Sequence, residues 1–245
     1  RTSAVRDENS YLLNGQKTFI GSGISGDAAL VLARTDGSSE RASEDSFSLF
    51  FVEKSDGYAP GRQLDKIGIR ASDTAELFFE NVRVPAENLI GEPGQGLTYI
   101  KQHLPQARLA IAAASAVISR TTLNATLEYV KERKVFGSRV ADFQNTRFEL
   151  ANALMNTELS ELYVARSIAA FNAGELTAED AAKAKVFASE KACTITDRCL
   201  QLFGGYGYIN EHPVAQAFLA ARLLPIFGGT NELLRDNIGF DLLAE

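Results

Sequence analysis

The chain has 245 residues, a formal net charge of −6 and 45% hydrophobic residues. That is enough for one large domain or two small ones with a sizeable core, and it excludes a disordered or low-complexity protein. The mild acidity argues against a nucleic-acid binder, no run of about 18 apolar residues is present to span a membrane, and two cysteines cannot build a disulfide framework.

The chain opens at Arg1 without an initiator Met, inside what reads as a strand, and is expected to be a piece of a longer protein. Residues up to about 90 read as strands. Asn14-Gly15, between Tyr11-Leu12-Leu13 and Lys17-Thr18-Phe19-Ile20, predicts a hairpin turn, because both turn positions of that type need positive φ. Ala28 to Ala33 is a continuous apolar run that predicts a buried strand. Thr35 to Ser46 is small, polar and without period, and predicts a flexible loop. Phe47 to Val52 and Thr74 to Val84 are further strands, the second ending at Pro85.

From about Gly96 the period becomes helical. Leu109 to Val130 predicts a helix, with Pro105 upstream expected to kink or restart it. Phe148, Ala151, Met155, Leu159 and Leu162 recur at threes and fours and predict the buried face of a second helix. Ala181, Ala184, Ala188, Ala192, Ile195, Cys199 and Leu202 do the same for a third, with Thr177 as its N-cap. Leu234, Ile238 and Leu242 give a last helix its buried face. The fold class is therefore α+β: a small, barrel-like β domain over residues 1–90, then an antiparallel helical bundle over residues 91–245.

Several short motifs carry two readings each. Gly21-Ser22-Gly23-Ile24-Ser25-Gly26 matches the spacing of a dinucleotide fingerprint, but a strand-like run follows it where a helix should begin, which favours a loop. Gly204-Gly205-Tyr206-Gly207-Tyr208 reads as a helix C-cap or as backbone that lets a flat ligand approach. Gly228-Gly229-Thr230 reads as an N-cap after a loop or as free N–H groups for a phosphate or polar ring edge. The basic residues of Arg133-Lys134-Val135-Phe136-Gly137 suit a helix end, but that leaves an apolar Phe136 in a turn unexplained. Cys193 and Cys199 are expected to be packing residues, and the two histidines, His103 and His212, offer no metal site.

In their order along the chain these motifs resemble the acyl-CoA dehydrogenase family. The resemblance rests on residues 12–20, 65–74 and 81–89, on Arg133 to Gly137 with Phe143-Gln144, on Gln201 to Tyr208 and on Ile226 to Glu232, and it covers essentially the whole chain. Leu104-Pro105-Gln106 and Gly228-Gly229-Thr230 look most like the long-chain subgroup. The resemblance implies a tetramer, homo- or hetero-oligomeric, with FAD lying between the β domain and the bundle, an acyl-CoA or related acyl thioester as substrate, and an electron acceptor that can be a protein. It implies a cytoplasmic location, or the mitochondrial matrix in a eukaryote. By motif, Phe19 and Gly21 would sit against the flavin ring, and Arg133, Phe136 and Gln144 would hold the pyrophosphate and adenine side across a subunit interface. Gln201, Gly204 and Gly205 would line the same site, Thr230 and Glu232 would meet the cofactor from the last helix, and Arg108, Phe227 and Gly228 would face the substrate.

Two departures stand out. Against the family pattern, the N-terminal helical domain and the first flavin-contacting segment of the β domain are absent from these residues. Family members also place a catalytic Glu either just before the residue that is Arg108 here or just after the one that is Phe227. Those positions hold Ala107 and Gly228, and neither can take a proton, so no catalytic residue is assigned. The Thr or Ser usually found at Gly21 is missing as well. The chain could then be a FAD-holding or interface subunit whose partner supplies the base, a flavin protein with altered thioester chemistry, or a chain in which Ala107 is an engineered substitution.

Overall fold

A computed structural model describes residues 2–37 and 42–244, which form two compact units, Arg1–His103 and Leu104–Glu245. The first unit is a seven-stranded sheet. Strands β1 (Thr2–Asp7), β2 (Ser10–Gly21), β3 (Ala28–Arg34), β4 (Phe47–Glu53), β5 (Tyr58–Gln63), β6 (Thr74–Pro85) and β7 (Leu89–Ile90) lie in the order β5-β6-β2-β1-β3-β4-β7. All neighbours are antiparallel except β1 and β3, so the sheet is mixed. One face is buried by alternation, with Leu13, Val31, Phe50, Leu77 and Val82 packed together and Tyr11 edge-on to Phe50 at 4.9 Å.

Asn14-Gly15 does not turn the chain. Strand β2 runs through it, and the turn falls earlier, at Glu8-Asn9, where Asp7 faces Ser10 and Glu8 has φ 51°. The dipeptide instead forms an irregularity against β6. Gly15 has φ 138°, the register shifts there, and Asn14 and Asn81 bond one another, Asn14 Nδ2 donating to Asn81 Oδ1 at 3.1 Å and Asn81 N donating to Asn14 Oδ1 at 2.9 Å. The strand at Ala28–Arg34 is present, but it is buried on one side only: Val31 and Ala33 face the core and Leu30 faces out. Of the expected loop at 35–46, residues 38–41 lie outside the described residues, and Glu44–Ser46 forms a single helical turn. Strand β5 has no alternation to announce it; it sits at the sheet edge, where Pro60 costs no ladder bond.

The second unit holds the α-helices, apart from residues 96–103 of the first of them. Helix α1 (Gly96–Glu132) is a single 37-residue helix that passes through Pro105 without restarting. The carbonyl that Pro105 leaves without a helical donor belongs to Lys101, on an exposed turn where water can serve it. A two-strand hairpin, β8 (Lys134–Val135) and β9 (Ser138–Arg139), leads to α2 (Gln144–Asn172), α3 (Ala178–Phe203), α4 (Pro213–Ala221) and α5 (Asn231–Ala244). Helix α3 is central and packs against α2, α4 and α5. Its stripe from Ala181 to Cys199 is buried, Leu202 is partly buried, and Thr177 Oγ1 accepts from Asp180 N at 3.0 Å as the N-cap.

Helix α2 is turned the other way from the expectation. Phe148, Ala151, Met155, Leu159 and Leu162 face outward, Leu162 with 68% of its surface exposed. The buried face carries Thr146, Ala153, Thr157, Ser160, Val164 and Ser167. Three of these hydroxyls can be buried because they bond their own helix: Thr157 Oγ1 donates to Ala153 O at 2.8 Å, Ser160 Oγ to Asn156 O at 2.8 Å and Ser167 Oγ to Tyr163 O at 2.9 Å. Their small volume lets α1, α2 and α3 approach closely, as around Ala112, Ala116, Val164, Ala184 and Ala188. On α5, Leu234 is buried and Ile238 partly so, but Leu242 is exposed, against expectation. No helix among the described residues is long and apolar enough to cross a membrane.

Candidate functional site

On the helical unit, the ends of α1 and α3 meet around a cavity of about 620 Å³. Arg133, Gln201, Gly204 and Gly205 line it together with Tyr129 and Tyr206. The walls are built from the chain's own stops. Gly204 ends α3 with φ 59°, a value that favours glycine. Tyr129 stacks on Phe203 at 4.0 Å and its hydroxyl donates to Phe203 O at 3.1 Å, which fixes that end. The Arg133 guanidinium lies over the Tyr206 ring at 5.2 Å in a cation–π contact, and among the described residues no carboxylate pairs with it. A β-carbon at Gly204 or Gly205 would meet nothing within 4 Å. Internal packing therefore does not demand these glycines; they leave backbone open on the cavity side, a cradle that fits a flat or phosphorylated ligand.

Phe136 and Gln144 stand outside that cavity. Phe136 and Gly137 have φ 51° and 80°, a tight turn joining β8 to β9, and the Phe136 side chain is 99% exposed. An apolar ring in a left-handed conformation with no cover costs stability on both counts. Gln144 is exposed at the first turn of α2.

A second cluster gathers on the loop before α5. Arg108 Nε donates to Gly228 O at 3.3 Å, and burial lowers its pKa from the ordinary guanidinium value. Gly228 and Gly229 have φ 68° and 94°. A β-carbon at Gly228 would lie 2.5 Å from Ile111 Cδ1, so any side chain at 228 would require Ile111 to shift and would sit at a positive φ that disfavours it. Phe227 is half-exposed on the same loop, and Glu232 is exposed in the first turn of α5. Thr230 is a weak cap, its Oγ1 3.4 Å from Leu233 N. The stronger anchor was not anticipated: Lys185, with none of its surface exposed, donates from Nζ to Gly229 O at 2.9 Å and to Asn231 Oδ1 at 2.7 Å. A lysine inside the Ala-rich stripe of α3 was the available signal.

On the sheet unit, Phe19 occupies a register shift of β2 against β6, with φ 61° and 78% of its surface exposed. Gly21 ends the strand, and a β-carbon there would meet nothing within 4 Å. The residues after it form a turn, and no helix starts there. Asp73 holds that turn, accepting from Ile24 N at 2.7 Å and Ser25 Oγ at 2.9 Å, and these bonds hold its carboxyl below the usual carboxylate range. Cys193 Sγ donates to Ala221 O at 3.2 Å and Cys199 is buried; both are free thiols. His212 packs edge-on to Phe203 and Tyr206. Among the described residues no group of three or more His, Cys, Asp or Glu could hold a metal.

Comparison with known families matches the acyl-CoA dehydrogenase middle domain over residues 1–82 and the acyl-CoA dehydrogenase C-terminal domain over residues 94–243. The chain belongs to the acyl-CoA dehydrogenase family. It is 40% identical to the mitochondrial long-chain specific acyl-CoA dehydrogenase of Sus scrofa, over 100% of this chain and 57% of that protein. The crystal structure of acyl-CoA dehydrogenase from Geobacillus kaustophilus superposes with a TM-score of 0.95 at 38% identity, covering 98% of this chain and 63% of that one. Butyryl-CoA dehydrogenase from Megasphaera elsdenii superposes with a TM-score of 0.93 at 36% identity, covering 99% and 63%. The chain thus spans less than two thirds of the length of these relatives.

Proposed function

We propose that this chain belongs to a FAD-dependent protein that binds acyl-CoA or a related acyl thioester, and that it lacks the carboxylate needed to dehydrogenate that thioester by itself. Bound FAD would supply the acceptor for the β-hydride. The protein's part is to hold the cofactor, orient the thioester and remove an α-proton. That proton belongs to a weak carbon acid, so a base of matched pKa must stand beside it. In the family pattern the base is a Glu at the position of Ala107 or of Gly228. The observation that carries the proposal is the state of those two positions: 107 is an exposed alanine on α1, one residue before Arg108, and 228 is a glycine at φ 68° with Ile111 Cδ1 where a β-carbon would go.

Cofactor binding is supported by the open glycine cradle with Arg133 and Gln201, and by Phe19 and Phe136, two largely exposed rings held at positive φ. Gln144, Thr230 and Glu232 would complete the cofactor contacts, while Arg108, Phe227 and Gly228 would face the thioester. The outward apolar stripe of α2 supports an oligomer, homo- or heteromeric. A silent, FAD-holding subunit is the second reading, favoured by the same Ala107 and Gly228.

The test is spectroscopic. Purified full-length protein is expected to be yellow, with a flavin absorbance that saturated acyl-CoAs do not bleach, and Ala107→Glu is expected to bleach with at least one of them. Colourless protein that fails to take up added FAD refutes the cofactor assignment. Rapid bleaching of the unaltered protein refutes the missing base.

A further inference from the structure

Lys185 is costly to the fold. It is fully buried, and both of its acceptors, Gly229 O and Asn231 Oδ1, are neutral. Asn231 is itself buried and fixed, its Nδ2 donating to Ser189 Oγ at 3.0 Å and Glu190 Oε1 at 3.1 Å, while Arg235 holds Glu190 at 2.6 Å. Arg108 reaches the same loop from α1 and donates to the preceding carbonyl, Gly228 O. Two cations therefore grip two successive carbonyls. The peptide bonds are trans, so each N–H points opposite to the carbonyl of its own plane. The N–H of Gly229 is thus turned away from Arg108, and that of Thr230 away from Lys185. Neither N–H donates to another group among the described residues. Consecutive backbone N–H groups of this kind, left without a partner on the side away from the two cations, form a concavity for an electron-rich oxygen.

We propose that Lys185 is a positioning residue of the ligand site: with Arg108 it locks the Gly228–Gly229 loop so that the N–H groups of Gly229 and Thr230 face an acceptor oxygen, either of a cofactor pyrophosphate or of a thioester carbonyl. This rests on the flavin and thioester binding proposed above. Loss of a purely structural lysine would cost stability alone, through the acceptors it leaves unpaired. Loss of one that aims the loop would also cost ligand affinity, because the freed Gly229 carbonyl lets the loop rotate.

The experiment uses the full-length protein and Lys185→Gln. Three quantities are measured: FAD affinity of the apoprotein by flavin fluorescence, the affinity ratio of an acyl-CoA thioester over its thioether analogue on the FAD-loaded protein, and thermal stability. At least a tenfold loss is expected in one binding quantity, with folding retained. Loss of FAD affinity assigns the N–H groups to the pyrophosphate; loss of the thioester preference assigns them to the carbonyl. If both survive, Lys185 has no positioning role.

Should Lys185→Gln not fold, the unaltered protein still decides the matter. Burial, with Arg108 nearby, lowers the Lys185 pKa to about 8, while Glu232 and Glu190 oppose the shift. The other charged groups here, Arg108, Glu190, Glu232 and Arg235, are types that do not ordinarily titrate between about pH 7 and 9.5. One of the two binding quantities is expected to weaken over that range with a midpoint near 8; a flat profile overturns the proposal. Absence of FAD binding at every pH removes the flavin assignment itself, whereas intact binding indifferent to Lys185 removes only this role.

Discussion

The Cδ1 of Ile111 stands 2.5 Å from the place a β-carbon would take at Gly228. Ile111 is buried among Ala192, Ala221 and Leu224 and has little room to yield, and Gly228 has φ 68°. The two family positions for a catalytic carboxylate are therefore not equivalent in this chain. Gly228→Glu is expected to cost about 3 kcal/mol, the sum of a left-handed side-chain conformation and overpacking, and to bring no activity. Ala107→Glu, on an exposed helical position, should leave the melting temperature nearly unchanged. Thermal unfolding of both variants, beside flavin bleaching by an acyl-CoA panel, checks the contrast.

Phe136 illustrates stability given up for contact. Its ring touches solvent on all sides and its backbone is left-handed. Phe136→Asn should stabilise the isolated chain by about 1 kcal/mol, since Asn tolerates that conformation. It should also weaken FAD affinity or subunit association at least tenfold. Equilibrium unfolding with sedimentation and FAD titration measures the two effects separately.

Asp73 ties the turn at residues 22–25 to the sheet. Its carboxyl is held below the ordinary 3.8 by the Ile24 N–H, then by Ser25. A carboxylate with a lowered native pKa stabilises the fold above its unfolded value and loses that contribution as pH falls through the native one. Acid unfolding of the unaltered protein should therefore gain a component below about pH 3.8 that Asp73→Asn lacks, and the Ile24 amide should exchange faster in Asp73→Asn at neutral pH.

Lys185 has the opposite sign. Its native pKa is about 8 against an ordinary 10.5. Between these values the unfolded chain keeps a proton that the native chain has released, so stability of the ligand-free protein rises with pH. Below about 8 both states are protonated and the burial cost is complete. Urea midpoints at pH 7 and 9.5 should differ in the unaltered protein more than in Lys185→Met. Ligand affinity should move the other way over the same range, and the pair of opposed trends is the stronger test.

Much of the molecule is legible in its amino-acid sequence. Strand and helix periods assigned most elements, Thr177 was readable as a cap, and the ordered motifs pointed to the family. Four of the residues that line the cavity, Arg133, Gln201, Gly204 and Gly205, are readable from their motifs, while Phe136 and Gln144, named with them, lie outside it. Asn14-Gly15 misled because its preference for positive φ serves a strand irregularity as readily as a turn; only the pairing with Asn81 on β6 selects between them. The apolar stripe of α2 misled for a similar reason: periodicity shows that a helix has two faces but not which one its neighbours cover.

The amino-acid sequence by itself determined most of the elements, the family and the absence of a carboxylate at 107 and 228, because these depend on residue type and local spacing. Tertiary structure decided the rest. It turned the hydroxyl face of α2 inward, set Ile111 against position 228, and brought Lys185 under a loop more than forty residues away. Each of these is a contact between segments distant in the chain, and local spacing carries no information about which distant atoms will fill the space beside a residue.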